Sequence, residues 1–225
     1  MPTSHCQRRI HRGGFTFIEL MIGLVITAMV LAAMAAVMTS VAEGWQAGSI
    51  SQSTQMQANQ IYARVQKILS GAKYVILPTD GGSGSSILFW ANDDLIADST
   101  VEAGELGLIQ LDSATNTLYL YEAAPNLTGS QLAAAQTPLN WSTLQTLTPS
   151  QFISWSYIQP TPLGGPGTSG NPNALQVTGA NFFVTGLGST TQLPIIEFSL
   201  SFDKNGQSAT LYNSTTMRGP TTQPN

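Results

Sequence analysis

The sequence predicts an α+β protein: a long N-terminal α-helix, membrane-spanning in its first half, whose second half packs on an antiparallel β-sheet domain. Three observations predict it. Leu20–Ala42 is an uncharged run of 23 residues that follows a basic N-terminal segment. Residues 43–70 contain no proline and place Met56, Ile61, Val65 and Ile68 at helical spacings. From Tyr74 onward, short alternating apolar segments are separated by turn-forming residues.

The helix comes first in chain order. Twenty-three residues rise about 35 Å as an α-helix, enough for the roughly 30 Å hydrocarbon core of a bilayer. Arg8, Arg9 and Arg12 precede the run and hold that end on the cytoplasmic side, so the rest of the chain lies across the membrane. Gly44 and Gly48 weaken the continuation by about 1 kcal/mol each, and the helix is expected to end near Gly71. The resulting organisation is a basic leader (1–14), a membrane helix (15–42), its amphipathic continuation (43–71), a β-rich domain (72–218) and a frayed tail (219–225).

Within the β-rich part, Tyr74–Leu77 and Ser86–Ala91 read as strands around a flexible DGGSGSS loop. Leu106–Asp112 and Thr117–Glu122 read as a hairpin. Two longer alternating runs surround Lys204-Asn205-Gly206, a strong hairpin-turn signal. The FISWSYIQ and NFFVTG segments supply further strands, GSQLAAAQ near 129–136 one short helix, and residues 163–173 a loop.

Composition narrows the function. Only 9% of the 225 residues are charged, against about 25% in ordinary soluble domains. A formal charge of −4 excludes a basic nucleic-acid binder. His5, His11 and the single cysteine, Cys6, all lie in the first twelve residues. Beyond them the chain lacks the usual Zn or Cu ligands, a histidine to activate a serine, and a thiol. An enzyme is therefore not expected. The Gly165-x-Gly167-x-x-Gly170 pattern follows no clear strand, opens no helix and is broken by Pro166 and Pro172, so it is not a dinucleotide loop.

Glu19 stands out, because a carboxylate in the first turns of a membrane helix is costly unless neutralised. A free amino group on Phe15 would neutralise it, provided the chain is cut after Gly14. At these residues (Gly14, Phe15, Thr16, Phe17, Ile18, Glu19, Leu20 and the apolar run) the sequence resembles the type IV pilin and pseudopilin superfamily. The resemblance implies cleavage after Gly14 by a prepilin peptidase, N-methylation of Phe15, and a role for Glu19 in filament assembly.

It also implies other pilin-like subunits as partners and a single-pass protein of the inner membrane with a periplasmic or extracytoplasmic C-terminal domain. The length, the presence of Glu19 and the lack of a C-terminal cysteine pair make the chain most similar to a J-type minor pseudopilin or a minor pilin of a type II secretion or type IV pilus machine. Three other readings stay open. One is a secretory signal cut near Ala33-Met34-Ala35, and another is a plain anchor. The third is a membrane-tethered extracytoplasmic ligand-binding protein or hydrolase with a pilin-like leader.

The remaining cluster is acidic. Eight of the twelve acids lie between Asp80 and Glu122, with no Lys or Arg among them. Asp94, Asp98, Thr100, Glu102 and Glu105 fall at positions 1, 5, 7, 9 and 12 of an EF-hand-type loop, a spacing suited to calcium. Ile96 and Ser99 depart from that pattern, and a solvated acidic loop is the competing expectation.

Overall fold

In a computed structural model the described residues are 16–79, 81–91, 100–166, 174–187, 193–204 and 206–217. Helix α1 runs from Phe17 to Gly71 and passes both glycines of its middle without a break. The chain divides into two compact units, Met1–Ile50 and Ser51–Asn225. In the first, Phe17–Trp45 is long and apolar enough to cross a membrane.

The second unit contains two antiparallel sheets rather than the single one expected. Strands β1 (Tyr74–Leu77), β3 (Ser86–Trp90), β4 (Leu106–Asp112), β5 (Thr117–Ala123) and β6 (Ile158–Gly164) form a five-stranded sheet in the order β1-β3-β4-β5-β6. Strands β2 (Ser83–Gly84), β7 (Gln176–Thr185), β8 (Ile195–Lys204) and β9 (Gln207–Thr216) form a four-stranded one in the order β2-β7-β8-β9. Strand β2 lies inside the glycine-serine segment read as a loop, where Ser83 and Gly84 pair with Phe183 and Phe182.

Both expected hairpins form. Leu108–Asp112 pairs with Thr117–Tyr121, and β8 pairs with β9 from Ile195↔Thr216 to Lys204↔Gln207. Gly206 supplies the φ of +78° that closes the second turn.

One core is shared by the helix and both sheets. Ala58, Ile61, Val65 and Leu69 of α1 pack with Phe89, Ile109, Leu118 and Leu163 of the first sheet and with Val177, Phe182, Phe198 and Phe202 of the second. The spacing of three and four residues keeps this row on one helix face. Met56, assigned to that stripe from sequence, is instead 63% exposed. It precedes Ile61 by five residues, which turns it about 140° away at 3.6 residues per turn.

The opposite face of the five-stranded sheet carries a second core. Leu88, Trp90, Leu106 and Leu108 pack there against Ala135, Leu144 and Phe152. These last three come from short helices: α2 (Gly129–Ala135), α3 (Trp141–Thr146) and α4 (Pro149–Ile153). Only α2 was expected.

Helix α4 takes Phe152 and Ile153 out of the strand read from FISWSYIQ, and the strand begins only at Ile158. The cause is local. Thr148 and Gln151 form a reciprocal capping box, and Pro149 occupies the first helical position, where its missing N–H costs nothing. Strand β6 runs on through Pro160 and Pro162 to Gly164, into residues assigned to a loop. Two residues apart, the prolines leave both missing N–H groups on one side of the strand, which a strand at a sheet edge can spare.

Tyr157, just before β6, is 5% exposed, and burial pushes its hydroxyl from 10.0 up to about 12. A raised tyrosine favours the neutral form in the folded state. Its contribution is therefore complete below pH 10 and is lost as pH rises from there through about 12. Unfolding midpoints measured across that window should fall, and Tyr157→Phe should make the fall shallower.

Candidate functional site

The start of α1 is built by its own first residues. The Thr16 N–H donates to Glu19 Oε2 at 2.9 Å, and the Thr16 hydroxyl donates to the same oxygen at 3.1 Å. The Glu19 N–H returns a bond to Thr16 Oγ1 at 3.3 Å. This is a capping box, which satisfies two N–H groups that a helix start otherwise leaves open. It also sets a carboxylate at the positive end of the helix dipole. The Thr-x-x-Glu spacing was visible in the sequence, but Thr16 was not singled out as a partner for Glu19.

Further along, each hydroxyl of the apolar segment is turned back on its own helix. Thr27 donates to the Gly23 carbonyl at 2.7 Å, Thr39 to that of Ala36 at 2.9 Å and Ser40 to that of Val37 at 2.9 Å. Such back-bonding leaves no hydroxyl seeking a partner in a medium without water. The outer surface is then carried by side chains such as Phe17, Leu24, Val30 and Met38, all exposed within the chain. Gly14 and Phe15 lie outside the described residues.

Against protein families, residues 9–35 match the prokaryotic N-terminal methylation motif. The chain carries a type IV pilin-like N-terminus. The match takes in Gly14, Phe15, Thr16 and Glu19 together with the first part of the apolar helix. A pilin-like motif implies dealings with a prepilin peptidase and with other pilin subunits in general. The apolar helix of this pilin-like chain is consistent with single-pass membrane anchoring. Comparison with curated proteins and with solved structures gives no match.

Of the acidic segment of the pilin-like chain, only part falls among the described residues. Asp94 and Asp98 lie outside the described residues. Thr100 is partly buried, while Glu102 and Glu105 are only 1% and 5% exposed. Glu102 precedes and Glu105 ends a 3₁₀ turn, Ala103–Glu105, that leads into β4. The Glu105 carboxylate accepts from the Trp90 indole N–H at 3.1 Å and from the Glu102 N–H at 3.2 Å, both through Oε2.

Glu105 is thus committed as a buried acceptor that ties the turn to β3. Among the described residues no three or more His, Cys, Asp or Glu side chains gather as a metal site. Glu105→Ala would strand two donors beneath the surface, at a cost of about 2 kcal/mol. Glu105→Gln, which keeps an acceptor oxygen, should lose less than half of that in chemical unfolding.

Proposed function

We propose that this pilin-like chain is a non-enzymatic minor subunit of a type II secretion or type IV pilus assembly, of the kind represented by J-type minor pseudopilins and minor pilins. Its β-rich domain would stand in the periplasm or another extracytoplasmic space. It would act by contacts with other pilin-like subunits at the start or tip of a filament.

The start of α1 carries this reading: a carboxylate fixed at the head of a helix whose next 23 residues, Leu20–Ala42, carry no charge. A helix this apolar needs a bilayer or neighbouring helices to cover it. A buried carboxylate in either setting needs a positive partner, most simply the amino terminus of an adjacent subunit. The absence of His and Cys beyond residue 12 supports a contact role rather than catalysis.

The test separates assembly from capping. Glu19→Ala removes the charge and the cap together, whereas Thr16→Ala removes only the cap. Both should insert into membranes normally. Glu19→Ala should lower recovery with the other pilin-like subunits about tenfold or more, as expected for a desolvated charge left without its partner. Thr16→Ala should lower it less than twofold. Equal incorporation of Glu19→Ala and the native chain would overturn the proposal and favour a tethered receptor.

A further inference from the structure

We propose that the outer face and free edge of the four-stranded sheet bind an extended segment of a partner protein, which lays an arginine side chain across Tyr212 onto Glu197. Two independent observations converge on this surface, and neither depends on the filament reading.

The first is the edge. Strand β9 is an outermost strand ten residues long, and among the described residues nothing pairs with its far side. Exposed edges are normally blunted by charge, proline or a bulge. Gln207–Thr216 contains neither a charged residue nor a proline, and its pairing with β8 runs without a register shift. It is an open row of backbone donors and acceptors, the substrate of strand addition.

The second is a groove of about 410 Å³ on the adjoining face, lined by Asn181, Phe183, Glu197, Ser199, Tyr212 and Ser214. Glu197, on the inner strand β8, lies directly opposite Phe183 of β7 and Ser214 of β9. Tyr212, paired with Ser199, sits diagonally from Glu197 and is 77% exposed. Among the described residues no ion pair or hydrogen bond engages the Glu197 carboxylate.

The chemistry of the groove selects its ligand. A single uncompensated carboxylate lies between two aromatic rings, with hydroxyl and amide oxygens around it. A guanidinium matches all three features: it stacks on an aromatic face, pairs in two-pronged fashion with a carboxylate, and carries five donors and no acceptor. Distance agrees. A strand added to β9 stands two strand spacings, about 10 Å, from β8. The combined reach of an extended arginine and a glutamate covers that span while crossing Tyr212.

The test uses the full chain in detergent micelles, isotope-labelled for NMR. The probe is a blocked Thr-Val-Arg-Val-Thr peptide, compared with the same peptide carrying citrulline and with an oligosaccharide of β-linked glucose. The arginine peptide should shift the resonances of Phe183, Glu197 and Tyr212 and slow exchange of the outward-facing amides of β9. Citrulline, Glu197→Gln and Tyr212→Ala should each weaken its binding roughly fivefold. Equal affinity for the two peptides, indifference to Glu197→Gln, or an absence of shifts at these three residues would overturn the proposal. So would shifts produced there by the oligosaccharide alone, which would make the groove a sugar site.

Discussion

Mass spectrometry of the native protein is expected to find a chain that begins at N-methylated Phe15, with Gly14 and everything before it removed. The segment up to Arg12 carries three arginines and resists entry into the bilayer, whereas the helix after it is apolar for more than one membrane thickness. A cut between them releases the leader and keeps the anchor. It also changes the protein's charge, since the five basic and twelve acidic residues that remain leave −7. Gly14→Val should block the cut almost completely, and the unprocessed chain should keep the leader's mass. An N-terminus at or after Ala36 would point instead to a secretory signal removed with most of the uncharged run.

What the sequence made legible was local. The apolar run of α1, the hairpins β4–β5 and β8–β9 and the short helix α2 are each specified by a periodicity or a turn signal within about twenty residues. Membership of two sheets was not legible, because it depends on pairings such as Phe183 with Ser83, a hundred positions apart in the chain. The aromatic residues Trp155 and Tyr157 favoured a strand reading of their segment, and the Thr148–Gln151 capping box overrode it.

The candidate site divides in the same way. Glu19 was conspicuous as a charge in an apolar run, and its partner Thr16 was readable three residues earlier. Glu102 and Glu105 matched a spacing for cation ligands, but spacing does not say which way a carboxylate faces. Both are buried beside β3 and β4, where Trp90 claims Glu105. The Tyr212–Glu197 groove had no sequence signal at all, because its walls come from three strands brought together by pairing.

Gly164→Ala should be among the most destabilising single-methyl additions in the domain. Gly164 ends β6 opposite Leu118, where the second half of α1 crosses the sheet. A Cβ built there would overlap Ile61 Cδ1 and Cγ1. Ile61 cannot swing aside cheaply. It is 7% exposed, lies between Ala58 and Val65 in the buried row, and is β-branched, which holds χ1, and so Cγ1, in one strongly preferred position in a helix. Either the helix lifts from the sheet or β6 shifts along β5, and overpacking of this kind costs about 1–3 kcal/mol. Ile61→Ala alone should also destabilise, by about 2–5 kcal/mol, through the cavity it opens. The two changes compensate in space, so Gly164→Ala combined with Ile61→Ala should cost at least 1 kcal/mol less than the sum of the single variants, as coupling between touching residues allows. Chemical unfolding of the four proteins in detergent measures that coupling. Strict additivity would mean that α1 and β6 do not approach each other as closely as Gly164 and Ile61 indicate.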